Sequence, residues 1–396
     1  MGLRILIVSL VRLGHGSGSG QHQLGLLTQW QRQGASLRLI VPQPSGHDRP
    51  GEALAGLCRF SLTGTRIGLP AALDHIFQIP AIISECLRNR PDAIYTRVNL
   101  LTPLVVATGR MMGVRVVIEH NSWLSKERRV QGGAGWLASL EEMSQILSSR
   151  WAHASRCVTS GLAEHLAARC GVPRHKLHAI GNGTDCERFF RKDRDTALSL
   201  FGLKPDRLHA GYIGNIMPWH NLPVAIEGFA RVAASVPELD LIVFGDGPGR
   251  NALEELAKSL NIAHRVRFFG AVASDRANDA INCLDVALLP LSLVNDAAFG
   301  FSSIKLRDYA AADRVVLTGR VPDHSTWPEM PWLLMHNADD PADFARALGQ
   351  AARQWTDWRS PRPRGARAFA ERHFDWSVIA RDALALCKPD PQPPAA

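Results

Sequence analysis

Residues 4–10, RILIVSL, form a near-continuous apolar run. The loop GHGSGSG (14–20), an amphipathic stretch over 21–32 and a second apolar run over 37–41 follow. The order is strand, loop, helix, strand. A strand that is apolar on both faces belongs in a parallel sheet covered by helices on both sides, so this single unit already points to a doubly wound α/β fold. Comparable strands are expected at 93–95, 114–119 and 156–159.

A second series opens at 209–214 (HAGYIG) and runs through a helix at 222–234, a strand at 239–244, a helix at 250–260 and a strand at 266–269. Further strands are expected at 286–289 and 315–317. The spacing therefore predicts an α/β protein of two Rossmann-like doubly wound domains facing a central cleft. The N-terminal domain covers 1–187 and the C-terminal domain 207–373. A charged linker at 188–206 carries RKDRD, helical patterns continue to 387, and the tail 388–396 is Pro-rich and expected to lack order.

The chain has 396 residues, 46% hydrophobic and 21% charged, with 14 Phe and 10 Trp, which excludes wholesale disorder. No apolar run approaches the roughly 20 residues that span a bilayer. The start imitates a signal peptide but lacks a small-residue cleavage site and reads as a buried first strand. The 7 Cys are odd in number and scattered without a C-x-x-C pair, which argues against a disulfide framework or a zinc site and for a reducing cytoplasm. Charge is unevenly placed. Residues 1–185 hold 20 Lys and Arg against 11 Asp and Glu, and the remainder 25 against 26. The basic half suits an anionic partner. Nucleic acid is not expected, because no recognised motif and no aromatic-plus-basic platform accompanies the charge.

Three segments carry chemistry. The first Gly loop, with Gly16 and Gly18, lets backbone approach a ligand, yet it completes no G-x-G-x-x-G, and the second strand ends without an acidic residue, which speaks against a dehydrogenase. The segment LIVFGDGPGR (241–250) is strand, Gly loop and helix, with Pro248 inside the loop and Asp246 able to cap the helix. In SSIKLRD (302–308), Ser302 and Ser303 are capping residues before a helix beginning near Ile304. Lys305 adds a positive charge for a diphosphate, and Asp308, one turn on, can accept hydrogen bonds from a ribose. In VIEHNSW (117–123), His120 stands just beyond the carboxyl end of a buried strand, where ligands sit in open α/β sheets.

Taken in order, these segments resemble the retaining glycosyltransferases of family 4, which have the two-domain GT-B fold. The stretches that carry the likeness also include CVTSGLAEHLAARCGVPRHKLHAIGNGTD (157–185), GYIGNIMPWHNLPVAIEGFA (211–230), the continuation of 241–250 to RVRFFGAV (265–272), SSIKLRDYAAADRVVLTG (302–319) and HFDWSVIA (373–380). The branch reading S-x-x-K-L-x-E/D-Y-x-A is the nearest. The resemblance implies a nucleotide diphosphate sugar as co-substrate, no other cofactor and no metal, and a last helix, 374–387, that returns to the N-terminal domain. Carried over by position, His120 and Asp308 are the expected catalytic residues. The donor site comprises Gly16, Gly18, Gly214, Asn215, His220, Gly245, Asp246, Gly247, Ser302, Ser303, Ile304, Lys305 and Asp308. Asn215 and His220 stand where the family usually has a basic pair, and the first of its two Glu residues falls on Gly300.

The expected activity moves a sugar from a nucleotide diphosphate to a glycan, lipid-linked or small-molecule acceptor, held by Arg97, Asn121, Trp123 and Lys126. Arg97, Lys126, Arg128 and Arg129 beside Trp123 also suit an anionic lipid surface, placing the protein in the cytoplasm with peripheral contact at the inner membrane face. The alternatives are a sugar-nucleotide epimerase on the same fold and a non-catalytic sugar-nucleotide-binding protein.

Overall fold

The structure is a computed structural model that describes residues 2–11, 18–42, 54, 56–61, 73–130, 132–217, 220–293, 302–320, 329–353 and 364–389. The chain divides into two compact units, one formed by 1–183 with 376–396 and the other by 184–375.

The first unit is built on a parallel sheet of β1 (Arg4–Val8), β2 (Ser36–Pro42), β3 (Cys58–Ser61), β4 (Ala93–Arg97), β5 (Arg115–His120), β6 (Ala154–Cys157) and β7 (Leu177–Ala179), in the order β3-β2-β1-β4-β5-β6-β7. Side-chain alternation splits its core in two. Ile5, Ile7, Leu37, Leu39, Tyr95 and Val117 pack on one face with α1 (Gly18–Arg32). Leu6, Val8, Ile94, Val116 and Ile118 pack on the other, with α2 (Asp74–Asn89) and α3 (Thr102–Met111). Two further helices, α4 (Leu124–Val130) and α5 (Gly135–Trp151), follow β5, and α6 (Ser160–Ala168) follows β6.

The second unit repeats the plan. Its sheet comprises β8 (Leu208–Ile213), β9 (Leu239–Phe244), β10 (Val266–Gly270), β11 (Val286–Leu289), β12 (Val315–Arg320) and β13 (Leu333–Asn337), in the order β10-β9-β8-β11-β12-β13, all parallel. In open sheets of this kind ligands bind outside the carboxyl ends of the strands where the order reverses, here between β8 and β11.

The stretch 188–206, expected as a surface linker, lies within this second unit. It carries α7 (Arg194–Leu200), whose Ala197 and Leu198 are buried in the core with Phe189. Its charges are paired inward: Lys192 with Asp279 at 2.6 Å and Arg194 with Asp285 at 2.7 Å. A charge run resembles a solvated linker in sequence because its partners lie some 90 residues away. Among the described residues the remaining α-helices of this unit are α8 (Leu222–Ala233), α9 (Arg250–Ser259), α10 (Ala277–Asn282), α11 (Ile304–Ala311), α12 (Pro341–Arg353) and α13 (Ala366–His373). The last helix, α14 (Trp376–Ala385), belongs to the first unit, where it packs on α1 and accepts a hydrogen bond at Ala380 O from Trp30 Nε1 at 2.8 Å. Trp30 is fully buried, and its removal would cost about 3–5 kcal/mol.

Candidate functional site

In the second unit β8 ends at Ile213, and Gly214 follows with φ 140°. A Cβ on Gly214 would fall 2.3 Å from Lys305 Cε, so the glycine leaves the space through which the Lys305 stem crosses the strand end. Lys305 Nζ lies 5.4 Å from the centre of the Tyr212 ring, within cation–π range. The Tyr212 hydroxyl donates to Asn215 O at 2.9 Å and lies 3.1 Å from His220 Nδ1, itself 2.8 Å from the same carbonyl. A carbonyl oxygen only accepts, so Nδ1 of His220 carries a proton. Burial, followed by the Lys305 charge, pushes its pKa down to about 4. Of Asn215, His220 and Lys305, which converge here, the lysine is therefore the cation at neutral pH.

Lys305 is the second residue of α11. Ser303 caps that helix, its Oγ accepting from Leu306 N at 3.3 Å, so the positive end of the helix dipole lies at Ser302, Ser303 and Ile304 beside the lysine. Asp308 lies one turn on. Its Oδ1 accepts from Thr184 Oγ1 at 2.6 Å, and the residue as a whole is half-buried. Burial raises its pKa to about 7, against the pull of Thr184, Arg188, Arg307 and Lys305.

Gly245, Asp246 and Gly247 lie next to this cluster and serve the loop itself. A Cβ on Gly245 would stand 1.9 Å from Gly214 O, and one on Gly247 2.4 Å from Ile216 O. Both residues have φ values, 154° and 150°, that favour glycine. Ile216 N donates to Asp246 O at 2.9 Å and Gly249 N to Ile216 O at 3.0 Å, so the loops after β8 and β9 lock backbone to backbone. Close packing of two loops explains these glycines. The Asp246 carboxylate accepts from Gly247 N at 2.8 Å and pairs with Arg250 at 3.5 Å. Sequence reasoning missed the adjoining clamp, where Asn221, in the left-handed region, donates to Leu291 O and to Asp339 Oδ1, each at 2.9 Å. Asp339 Oδ2 in turn accepts from Leu293 N at 2.7 Å, holding the segment that leaves β11. The Asn-Leu-Pro helix start was the one available signal.

In the first unit the structure corrects His120. Its side chain is fully buried, Gln145 Nε2 lies 3.0 Å from Nδ1 and Ser149 Oγ 3.1 Å from Nε2, and burial lowers its pKa to about 3. Strand parity is the reason: residue 120 shares the face of 116 and 118, which looks onto α5 rather than toward a ligand. Trp123 is also core, 6% exposed with its ring edge-on to His165 at 4.5 Å, so it presents no acceptor surface. Arg128, expected among the free cations, is taken by Glu141 through a bidentate pair. Lys126 is half-buried on α4, and Asn121, also half-buried, donates to Glu119. Arg97 lines a cavity of about 10 Å³ with Val11, His22, Tyr95 and Glu119, room for about one water. Gly18 opens α1, whereas Gly16 and Gly300 lie outside the described residues.

The polar centre of this unit is Glu119, which the sequence reading passed over. It accepts from Arg156 Nη1 at 2.8 Å, from the Tyr95 hydroxyl and from Asn121, with His22 Nε2 at 3.1 Å. Burial works to raise its pKa, yet His22 and Arg156 hold it well below the usual carboxylate range. Arg156 also donates to Ile180 O at 3.1 Å and to Gly181 O at 2.5 Å, tying the network to the segment that leaves the unit.

Residues 17–183 match the family described as glycosyl transferase 4-like domain, and 207–354 match glycosyl transferases group 1. The D-inositol 3-phosphate glycosyltransferase of Rhodococcus opacus is 31% identical over 139 residues, covering 33% of this chain and 31% of that protein. The putative glycosyltransferase EpsF of Bacillus subtilis is 25% identical over 235 residues, 57% of each. The chain thus spans about a third to just over half of the length of these curated relatives. Among solved structures, Anabaena HepE in complex with UDP superposes with a TM-score of 0.74 at 14% identity, covering 97% of this chain and 99% of that one. The fold is therefore GT-B. The chain thus carries a glycosyl transferase 4-like domain followed by a glycosyl transferases group 1 domain.

Proposed function

We propose that this protein is a retaining, metal-independent glycosyltransferase that moves a hexosyl group from a nucleotide diphosphate to a glycan or lipid-linked acceptor. The observation that carries the reading is the convergence of Lys305, the N-terminus of α11 and Gly214 at the reversal point of the second sheet. Lys305 and the first-turn amides of α11 hold the diphosphate and take up the charge that grows as the sugar C1–O bond breaks. Asp308 accepts the ribose hydroxyls. The acceptor oxygen forms the new bond to C1, and its proton leaves with a phosphate oxygen. HepE has been solved with UDP and with UDP-glucose, which favours a uridine diphosphate sugar as the donor.

A second reading, donor binding without turnover, is favoured by one observation, the neutral Asn215 and His220 at positions that are basic elsewhere in the family. Thermal-shift measurements with uridine, guanosine, adenosine and thymidine diphosphate sugars on the wild type and Lys305→Ala, followed by assay of released nucleoside diphosphate, separate the two. Binding and slow release, both lost in Lys305→Ala, support the transferase. Binding without release under any acceptor supports the second reading, and no binding of any donor refutes both.

A further inference from the structure

Helix α5 is turned inside out. Its buried face carries Glu141, Ser144, Gln145, Ser148 and Ser149, and four of these find partners: Glu141 with Arg128, Ser144 Oγ with Asn99 O at 2.9 Å, Gln145 with His120 and Ser122 O, and Ser149 Oγ with Gln145 O at 2.7 Å. Its outer face carries Trp136, Leu140, Met143 and Trp151, with Trp136 68% and Met143 63% exposed. Their spacing of four, three and eight residues places them on one stripe. A helix facing only water shows the opposite distribution.

The apolar surface continues sideways. Helix α3 packs between α2 and α5, and all three lie on the same side of the first sheet, since Ile82 and Cys86 of α2, Val105 and Val106 of α3 and Ala152 just after α5 enter one core. Outward, α3 shows Leu104 and Met111, and α2 shows Ile76, Ile83 and Leu87, each set at helical repeat spacing. Large apolar side chains exposed on three adjacent helices mark an interaction site.

Charge identifies the partner. The exposed charged side chains of these helices are Arg88, Arg110 and Arg150. Arg110 donates to Trp151 O and Arg150 to Cys170 O, neutral partners that leave both charges uncompensated. The carboxylates are withdrawn: Asp74 and Glu141 are buried, Glu85 pairs with Arg59, and Glu142 accepts from Ser125 Oγ. Apolar side chains that enter the boundary between headgroups and acyl chains, flanked by arginines at the level of lipid phosphates, make an interfacial membrane contact.

We infer that the outer face of α2, α3 and α5 docks on an anionic lipid bilayer. This surface differs from the Lys126, Arg128 and Trp123 group expected from sequence, of which Arg128 and Trp123 are engaged internally. The inference stands apart from the donor site, so its failure and that of the proposed reaction are distinguishable.

The test is flotation of the full chain with vesicles of equal parts phosphatidylcholine and phosphatidylglycerol, against vesicles of phosphatidylcholine alone. Trp136→Ser/Met143→Ser is the variant, since both side chains are exposed and their loss leaves the core intact. The wild type floats with the anionic vesicles, less so at high salt, and the double variant floats about tenfold less, as the loss of two inserted side chains requires. Lipids brominated on the acyl chains quench tryptophan emission in the wild type and less in Trp136→Phe. Absence of flotation overturns the inference, as does undiminished flotation of the double variant. Concentration-dependent self-association lost in the double variant, without lipid binding, assigns the face to a second copy and also overturns it.

Discussion

Asp308→Asn should stabilise the second unit at neutral and higher pH while weakening donor binding. In the unfolded chain this carboxyl titrates near 3.8, and in the fold at about 7. Above pH of about 4 the unfolded chain releases the proton while the folded chain keeps it until about pH 7, so the unfolded state binds fewer protons and stability falls as pH rises through that window. Three pH units at about 1.4 kcal/mol each set a ceiling of about 4 kcal/mol. The residue is half-buried, which reduces the expected effect to about 2 kcal/mol between roughly pH 4 and 7. Asparagine has no proton to release and still offers an oxygen to Thr184 Oγ1, whose bond to Oδ1 is 2.6 Å. Urea denaturation of both proteins across this range should show the wild type losing about 2 kcal/mol relative to the variant. Donor affinity of the wild type should rise over the same interval, since the ionised group accepts two ribose hydroxyls, and the variant should show no such rise. A stability difference that stays constant with pH, or grows toward acid, would refute the burial argument.

Gly245→Ala should destabilise the second unit by about 3 kcal/mol or more, because its Cβ meets the Gly214 carbonyl at 1.9 Å and the backbone cannot move aside. Gly214→Ala, at φ 140° with its Cβ 2.3 Å from Lys305 Cε and 3.3 Å from the Tyr212 hydroxyl, should cost about 1–3 kcal/mol in thermal denaturation and, by displacing the Lys305 stem, lower donor affinity about tenfold. Arg156→Leu should cost about 3–5 kcal/mol in denaturant midpoints, since it leaves Glu119 charged and buried. For His120→Ala, a stability loss of about 1–3 kcal/mol should account for the entire effect on activity. A large fall in nucleoside diphosphate release at unchanged stability would restore a catalytic role for His120.

The start of α11 was legible for local reasons. Ser303 as cap, Lys305 in the first turn and Asp308 one turn later could be placed because their positions follow from helix geometry alone. Gly214 and Gly245 could be marked as special, but not explained, because what each leaves room for arrives from another segment: the Lys305 stem in one case, the Gly214 carbonyl in the other. His120 was misjudged for a related reason. It is the last residue of β5 rather than a residue beyond it, and the side of the sheet it faces depends on strand parity and on α5, some 25 residues downstream.

By itself the sequence determined that the chain forms two doubly wound α/β units, because apolar runs and helical spacing are periodic signals carried by neighbouring residues. Which charges are spent inside the fold and which remain outside was decided by tertiary structure alone. Arg128 and Lys192 read as solvent-facing cations but meet Glu141 and Asp279 across the fold, whereas Trp136 and Met143, two large apolar side chains, stand exposed. A side chain's environment is set by what packs against it from afar, and a Coulomb or dispersion contact of a few ångströms leaves no trace in the local pattern of residues.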